Sequence, residues 1–280
     1  MDNNTLRRLQ LTELEVLTEL DRVCRENDIE YVIAFGTMLG AVRHNGFIPW
    51  DDDIDVMMTR PAYEKFKGLR DKLNPEIAYF QDHDTDSSYI WGYGKLRRTG
   101  TRYVRAGQEH IKSNTGIFID VFPMDGIPKG LIGCFFQDIR LYFIRKTLWS
   151  RVGYKNARGV ERLFYGFLKR FSVEGCFKAL NKEIAKNTDS DRVRILMMPC
   201  DGKANKLNRG RKKYGMEKRF LTSRALYLFE NKHFYGTKDF DGVLNYLFND
   251  YMTLPPEEKR VQNSPAAEIV FCGGAGVHGK

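Results

Sequence analysis

The sequence predicts an α+β protein with a mixed sheet in its first half and mostly helices in its second half. Short apolar runs alternate with amphipathic stretches up to about residue 128, and beyond residue 130 the apolar residues recur at helical spacing. With 280 residues, of which 42% are hydrophobic, the chain can bury a sizeable core. We therefore predict a core over 1–128 and a mostly helical part over 129–280 that completes the same domain.

The first half divides into alternating helices and strands. Apolar residues at helical spacing predict an amphipathic helix over 5–27, and "IEYVIAF" (29–35) predicts a strand. A short helix is expected over 37–46, because Asn-Gly closes it. "IDVMM" (54–58) predicts a second strand, and a helix over 61–73 begins with proline, which the first turn tolerates.

Two further strands and three helical regions follow. "YIWGYGKLRR" (89–98) and the strongly apolar "GIFIDVFP" (116–123) predict strands. Residues 131–150, 160–186 and 239–251 predict helices.

Several classes of protein are disfavoured by composition. The five cysteines are scattered and form no CxxC pair, so neither a zinc finger nor a disulfide framework is indicated. The N-terminus lacks the apolar stretch of a signal peptide, and no segment approaches the roughly 18 apolar residues of a membrane span. We expect a cytoplasmic protein.

Most of the net charge of +9 lies in one segment. Residues 203–219 contain eight lysines and arginines and one glutamate, a local charge of +7. Such a run forms either a solvated loop or a surface that attracts nucleic acid, lipid or a diphosphate. The charge alone does not choose between them.

An acidic segment, "DDDID" (51–55), precedes the second predicted strand. Alternate side chains of a strand share a face, so Asp53 and Asp55 point one way while Ile54 and Val56 point into the core. Two neighbouring carboxylates repel each other unless a cation lies between them, and Mg²⁺ prefers such oxygen ligands. The alternative is a solvated acidic turn, and the first two aspartates are expected to be turn or capping residues.

Two other features favour the metal hypothesis. Gly36 and Thr37 lie where a strand meets a helix, a position at which backbone N–H groups can bind phosphate. Asp120 interrupts an otherwise apolar strand, and a buried carboxylate needs a partner. We expect it to be a third metal ligand or a catalytic base; pairing with an arginine or a local loop is the alternative.

This combination resembles the nucleotidyltransferase fold of the DNA polymerase beta type. A glycine-hydroxyl turn, Asp-x-Asp on the next strand and a lone Asp on a later strand are its shared features. In that fold, three carboxylates hold two metal ions that position phosphates for in-line attack. The resemblance implies one or two Mg²⁺ ions, for which Mn²⁺ could substitute.

The amino-acid sequences of four segments resemble one family more specifically than they resemble this general fold. "FGTMLGAVRHNGFIPWDDDIDVMM" and "IDVFPMDGIP" closely resemble the LicD family, phosphocholine transferases of bacterial cell-surface glycans that are related to fukutin and fukutin-related protein. "YIWGYGKLRRTGTRY" and, more loosely, "FDGVLNYLFNDYMTLPPEEKR" extend the resemblance over most of 25–260. Residues 130–235 match least, and "FNDY" replaces the usual Tyr-Gly-Asp before the tyrosine.

The resemblance implies a reaction. A phospho-alcohol group, with phosphocholine from CDP-choline favoured, would pass to a sugar hydroxyl of a teichoic acid, lipopolysaccharide or capsule precursor, with release of CMP. Asp53 and Asp55 would bind Mg²⁺, and Asp120 would complete the metal site or take the hydroxyl proton. Gly36 and Thr37 would hold phosphate oxygens.

Three cationic residues are further candidates for the diphosphate site. Arg43 and His44, at the end of the short helix, could neutralise the diphosphate; a structural role at a helix C-terminus is the alternative. Lys95 could reach a phosphate, and a solvent-exposed strand lysine is the alternative.

Aromatic and apolar residues suggest sites for the other ligands. Choline needs aromatic faces, for which Trp50, Trp91 and Tyr93 are candidates, although each could be ordinary core. The acceptors of such enzymes are commonly lipid-linked. The segment 130–155 mixes large apolar residues with basic ones, so it could contact the inner face of the membrane; a helix packed on the core is the alternative.

Other functions remain open at this stage. Transfer of phosphoribitol, phosphoglycerol or phosphoethanolamine would use the same metal site. A true nucleotidyltransferase would pass the nucleotide itself to the acceptor. A non-catalytic nucleic-acid-binding module ranks last, because it leaves the acidic segment and Asp120 unexplained.

Overall fold

Helices and strands alternate at the start of the chain, four strands then follow in succession, and both kinds of element occur in the second half. The computed structural model describes residues 1–111, 113, 115–198, 214–262, 264–273 and 277–278. The helices are α1 (Asn3–Glu26), α2 (Phe35–His44), α3 (Arg60–Gly68), α4 (Leu131–Asn156), α5 (Gly159–Leu168), α6 (Val173–Ile184), α7 (Arg219–Thr222) and α8 (Phe240–Phe248). The strands are β1 (Val32–Ile33), β2 (Asp55–Thr59), β3 (Ala78–Gln81), β4 (Gly94–Arg98), β5 (Arg102–Arg105), β6 (Phe118–Gly126), β7 (Arg192–Arg194), β8 (Met216–Glu217), β9 (Arg224–Phe229), β10 (Lys232–Thr237), β11 (Ala266–Val270) and β12 (Val277–His278).

A mixed sheet is built around β6. Its main order is β1-β2-β6-β4-β3, and β7 and β8 extend it from the end of β6. β2 and β6 run parallel, whereas β4 pairs with β6 antiparallel. The predicted combination of helices with a mixed sheet is therefore confirmed.

Helix α1 closes one side of this sheet and is amphipathic for the predicted reason. The carboxylate of Asp2 accepts a hydrogen bond from the Thr5 N–H at 2.9 Å and caps its start. Leu9, Leu17 and Leu20 are completely buried on its inner face. Because the main apolar core also takes residues from β7–β10 and α8, both halves of the chain contribute to one core.

The first predicted elements are present with shifted ends. α1 is confirmed, but β1 is much shorter than predicted because Ala34 is already the N-cap of α2. Helix α2 therefore begins at Phe35 and ends at His44, and the expected Asn-Gly signal supplies its C-cap, Asn45, whose φ of 53° is left-handed. α3 ends at Gly68, and a short 3₁₀ helix (Arg70–Lys72) follows.

Later elements differ more. Only the second half of "YIWGYGKLRR" is a strand, β4. The predicted strand "GIFIDVFP" overlaps β6, which begins two residues later at Phe118 and continues to Gly126. The predicted helix over 160–186 is two helices, because the Ser172 hydroxyl accepts the Gly175 N–H at 3.0 Å and starts α6 anew. The strands from β7 onward were not predicted. Residues 203–213 of the basic run lie outside the described residues.

Helix α4 is the longest helix of the described chain, with 26 residues. Within the described ranges, no helix combines the length and the apolar character that crossing a membrane requires. The domain division at residues 128 and 129 stays a prediction.

We expect Gly40→Ala to destabilise the protein by about 1–3 kcal/mol, because a methyl group there would overlap the Gly46 carbonyl of the chain that returns towards β2. The Ile48 amide nitrogen, 3.3 Å from the added carbon, leaves little room for relaxation. Urea unfolding measures the effect. Gly68→Ala is the matched control, since nothing lies within 4 Å of its added carbon; equal stability of the two variants would contradict this packing argument.

Candidate active site

Asp55 and Asp120 lie directly opposite each other on the parallel strands β2 and β6. Side chains in register on neighbouring strands point to the same face, so the two carboxylates are held side by side. The Asp120 N–H donates to the Ile54 carbonyl at 3.0 Å, and the Asp55 N–H donates to the Thr37 hydroxyl at 2.9 Å. Thr37 thus fixes the start of β2 from the first turn of α2.

Asp53 precedes this pair and interacts with it electrostatically. Burial, reinforced by Asp52 and Asp120, raises the pKa of Asp53 to about 6. Burial also raises the pKa of Asp55 well above its usual value, and Asp53 and Asp120 add to the effect. The three residues predicted to bind a metal are therefore near enough to repel one another electrostatically. Among the described residues, however, the one trio whose carboxylate oxygens all lie within 4.8 Å of one another is Asp51, Asp52 and Asp53.

Asp51 belongs to the same acidic group. Carboxylate oxygens of Asp51, Asp52 and Asp53 lie within 4.8 Å of one another. Burial and the neighbouring Asp53 raise the pKa of Asp51 to about 8. The sequence predicted only a turn or capping role for Asp51 and Asp52, and their nearness to Asp53 adds them to the site.

Gly36 makes room for this group. A Cβ atom at Gly36 would lie only 2.5 Å from Asp51 Oδ2. A larger residue would therefore displace the Asp51 carboxylate from the start of α2. This close approach explains the glycine, and its predicted contact with phosphate stays a prediction.

Lys95 forms a buried ion pair with Asp120. Lys95 is only 4% exposed, and its ammonium nitrogen lies 3.3 Å from the centre of the Phe118 ring. Burial lowers the pKa of Lys95 to about 7, against the opposing effect of Asp120. The alternative of a solvent-exposed lysine is therefore wrong, and the partner of Asp120 is a lysine, not an arginine.

A cavity of about 210 Å³ adjoins the ion pair and has a cationic wall. Lys95, Arg97 and Arg105 supply three positive charges to its lining. Burial opposes the charge of Arg105, but Asp120 and Tyr103 outweigh it and raise the pKa of its guanidinium. The cavity therefore suits an anionic group held close to Asp120.

A second cavity, of about 440 Å³, shares Trp91 and Tyr93 with the first. Tyr63 and Phe177 add aromatic faces, and Asp82 is one of its acidic lining residues. Trp91 lies in the loop before β4, contrary to the predicted strand. The two cavities differ in charge and meet at the same aromatic side chains.

The remaining predicted residues lie at the far end of α2. Arg43 donates to the Tyr251 carbonyl at 2.8 Å, and the His44 ring lies 6.5 Å from the Trp50 ring in an edge-on contact. Arg43 is six residues beyond Thr37, about 9 Å along the helix axis. These contacts fit the alternative of a structural role, and the roles of Arg43 and His44 at phosphate and of Trp50 at choline stay predictions.

Sequence reasoning missed Glu13, a buried carboxyl on α1. Glu13 is 3% exposed, and among the described residues its Oε2 has no hydrogen-bond partner. Burial raises its pKa well above the usual value, with Asp53 and Asp52 as the next causes. The signal was its spacing, since Glu13 is four residues from both Leu9 and Leu17 on the buried face.

Arg97 and Arg105 were missed as well. Arg97 follows Lys95 by two residues in β4 and therefore shares its face. It donates to the Gln81 side chain at 2.5 Å and to the Gly116 carbonyl at 2.6 Å. Strand alternation could have identified Arg97. Arg105 lies on β5, which pairs with the distant strand β11, so its position depends on tertiary contacts.

The arrangement has a clear chemical consequence. Carboxyls that are buried together hold their protons until a cation replaces them. Hard oxygen ligands in this number fit Mg²⁺ better than a soft metal.

We expect the free energy of unfolding, measured without divalent cations, to fall as the pH rises from about 4 to 7. Unfolded aspartates ionise near 3.8, whereas Asp53 and Asp51 in the native state ionise only near about 6 and about 8. This stabilisation is therefore complete below pH about 4 and is lost as the pH passes through the native pKa values. Lys95 acts in the opposite direction, but only above pH about 7.

Mg²⁺ should flatten this pH dependence by raising the melting temperature more at pH about 7 than at pH about 5. Asp55→Asn removes a carboxyl whose ionisation the folded protein disfavours, so we expect it to raise the melting temperature of the metal-free protein at pH about 7 and to weaken the Mg²⁺ effect. Asp71→Asn, at an exposed position, is the control. An equal Mg²⁺ response in Asp55→Asn and the unmodified protein would refute the shared cation site.

Comparisons with known proteins point to one family. Residues 28–146 match the family described as LicD/FKTN/FKRP, nucleotidyltransferase domain, and this range contains β2, β4 and β6. The chain is 28% identical over 271 residues to the lipopolysaccharide cholinephosphotransferase LicD of Haemophilus influenzae, covering 92% of this chain and 95% of that one. It is also 27% identical over 142 residues to an uncharacterised protein of Rickettsia prowazekii, 51% of this chain and 48% of the other. The chain thus carries a LicD-family domain.

Proposed function

We propose that this protein is a phosphotransferase that moves phosphocholine from CDP-choline to a sugar hydroxyl of a cell-surface glycan and releases CMP. The observation that carries the proposal is the Asp55–Asp120 pair, held beside Lys95 and a cation-lined cavity. The name of the Haemophilus relative favours a lipopolysaccharide acceptor over a teichoic acid or capsule precursor. We further propose that β2, β6 and β4 form a nucleotidyltransferase-type core.

The carboxyl groups of the candidate site are the hard oxygen ligands that Mg²⁺ prefers. Asp53, Asp55 and Asp120 would hold it, with one or two ions bound and Mn²⁺ as a substitute. Bound Mg²⁺ would neutralise the donor diphosphate and the charge that grows on the leaving CMP. The burial of Asp53 and Asp55 and their repulsion by Asp120 support this assignment, because a bound divalent cation would relieve the repulsion that raises the pKa of both carboxyls.

The side chains of the protein would bind the donor and handle the proton. Lys95, Arg97 and Arg105 would hold the phosphate groups in the cation-lined cavity. The sugar oxygen would attack the choline-bearing phosphorus, and the bond from that phosphorus to the CMP oxygen would break with its electron pair. Asp120, held in place by Lys95, would complete the metal site or take the proton of the sugar hydroxyl.

The choline end of the donor would lie at Trp91 and Tyr93. A quaternary ammonium group is attracted to aromatic faces and carries no hydrogen-bond donor, so it needs no polar partner. Trp91 and Tyr93 line both cavities. In the second cavity Glu64, Asp82 and Asp84 face Arg60 and Lys67, whereas Lys95, Arg97 and Arg105 line the first, so the second is more favourable to a cation. One donor could therefore bind with its anionic and cationic ends on different sides of these rings.

We expect Asp53→Ala, Asp55→Ala and Asp120→Ala to lower turnover at least about 100-fold while the fold survives, because each removes a ligand or base that the reaction needs. CMP release from CDP-choline is measured with Mg²⁺ and a lipopolysaccharide acceptor, and circular dichroism checks the fold. Asp71→Ala is the exposed acidic control. If Asp53→Ala retained more than a few per cent of the activity, the assignment of Asp53 as a metal ligand would be wrong.

The same reaction separates the alternative activities. Donor labelled in the choline should label the glycan, whereas label from the cytidine on the acceptor would indicate a nucleotidyltransferase. If CDP-ribitol, CDP-glycerol or CDP-ethanolamine were turned over faster than CDP-choline, the alcohol of that donor would be the transferred group instead of choline.

We expect Trp91→Leu to raise the KM for CDP-choline about 10-fold and the KM for CDP-glycerol much less, since only choline gains from the aromatic face. Steady-state CMP release with each donor measures the difference. Trp50→Leu is the matched variant at the other candidate aromatic, beside His44. A selective loss for choline in Trp50→Leu but not in Trp91→Leu would move the choline site to Trp50.

A further inference from the structure

Helix α4 presents a row of large apolar side chains to solvent. Ile132 is 75% exposed, and Phe135, Phe136 and Phe143 are each 53% exposed. Their spacing of three, four and seven residues places them on one helix face. Leu141 and Leu148, on the opposite face, are buried against the rest of the protein.

Helix α5 presents a second row. Val160 is 82% exposed, Leu163 is 76% exposed and Phe167 is 55% exposed, again at intervals of three and four residues. Tyr165 and Leu168, on its other face, are buried against α4. Phe171, directly after the helix, is also 51% exposed.

The two rows adjoin each other. Continued along α4 in steps of three or four residues, the row from Phe136 and Phe143 reaches Thr147 and Ser150, which are buried. Tyr165 of α5 packs at this end of α4, where its hydroxyl lies 3.4 Å from Lys146 Nζ. Helix α5 thus covers the C-terminal half of this face of α4 and leaves the N-terminal half exposed. The outer side of α5 adds its own row of apolar side chains to the exposed surface.

This surface concentrates the exposed apolar residues of the protein. Twelve of the 21 large hydrophobic side chains that are exposed among the described residues lie in 131–171. Scattered exposed residues are normal, but a contiguous apolar surface of this kind marks a binding face. We name residues 131–171 of α4 and α5 the α4–α5 surface.

The charge of the segment identifies the partner. Residues 129–171 contain ten lysines and arginines and only two acidic residues. Lys129, Lys155, Arg158, Lys169 and Arg170 are exposed. Two copies of this chain would bring like charges together across such a face, whereas an anionic lipid surface attracts the basic residues and accepts the apolar ones.

We propose that the α4–α5 surface binds the surface of an anionic phospholipid bilayer. The exposed apolar side chains enter the boundary between headgroups and acyl chains, and the basic side chains contact lipid phosphates. The inference rests on the placement of these helices and does not depend on which alcohol or glycan the active site uses.

Vesicle sedimentation of the whole protein tests the proposal. Vesicles of phosphatidylglycerol and phosphatidylcholine in equal parts should bind the protein, and vesicles of phosphatidylcholine alone should bind it at least about 10-fold more weakly. Added salt should weaken the binding, because it screens the basic residues. Failure of the phosphatidylglycerol vesicles to bind the protein overturns the proposal.

Paired glutamate variants locate the surface. We expect Ile132→Glu with Phe136→Glu on α4, and separately Leu163→Glu with Phe167→Glu on α5, to lower binding at least about 10-fold. Leu226→Glu with Leu228→Glu on β9 is the matched control, since these residues are 50% and 39% exposed and lie outside the surface. Equal losses in the control and the α5 pair would assign the effect to added charge alone and refute the location.

Two further measurements keep the outcomes distinct. Circular dichroism and CMP release from a water-soluble donor check that each variant folds; if the α4 pair does not fold, the α5 pair decides. Light scattering measures the oligomeric state. A dimer that the α5 pair dissociates, with vesicle binding unchanged, would assign this surface to a second copy of the chain and refute the lipid proposal.

Discussion

The parallel pairing of β2 with β6 is the constraint on which the site depends. It places two carboxylates side by side, Asp55 and Asp120, in a partly dehydrated setting where they repel each other. The surrounding contacts hold this unfavourable pair in place: Thr37 fixes the backbone of Asp55, and Lys95 pairs with Asp120. The parallel register therefore keeps two like charges together at a cost in stability, a balance that is common at functional sites.

This constraint also explains which parts of the site could be predicted. Asp53, Asp55 and Asp120 stand out in the sequence because strand alternation pairs two of them and the third interrupts an apolar run. The burial of Lys95 could not be predicted, because its partner Asp120 is 25 residues away. Glu13 could have been identified, since its helical spacing placed it on the buried face of α1.

The fold was predictable to a similar extent. Helix α1 and strand β6 have long, regular patterns and were placed correctly. The division of 160–186 depended on the Ser172 cap, a local signal that the periodic pattern hides. The later strands were missed for two reasons. β7 and β8 are only two or three residues long, and β9 and β10 form a hairpin of mixed burial, so their pairing depends on tertiary contacts.

The short connection between β6 and α4 limits how far the chemistry can be from the surface of the helix pair. Asp120 lies on β6, and α4 begins at Leu131, eleven residues later. A chain of that length spans at most roughly 36–40 Å even when fully extended. If α4 rests on a bilayer and the proposed transfer takes place on a lipid-linked glycan, the modified sugar must lie within that distance of the lipid. The number of sugar units between the modified sugar and the lipid anchor would then be limited by geometry as well as by recognition of the sugar itself.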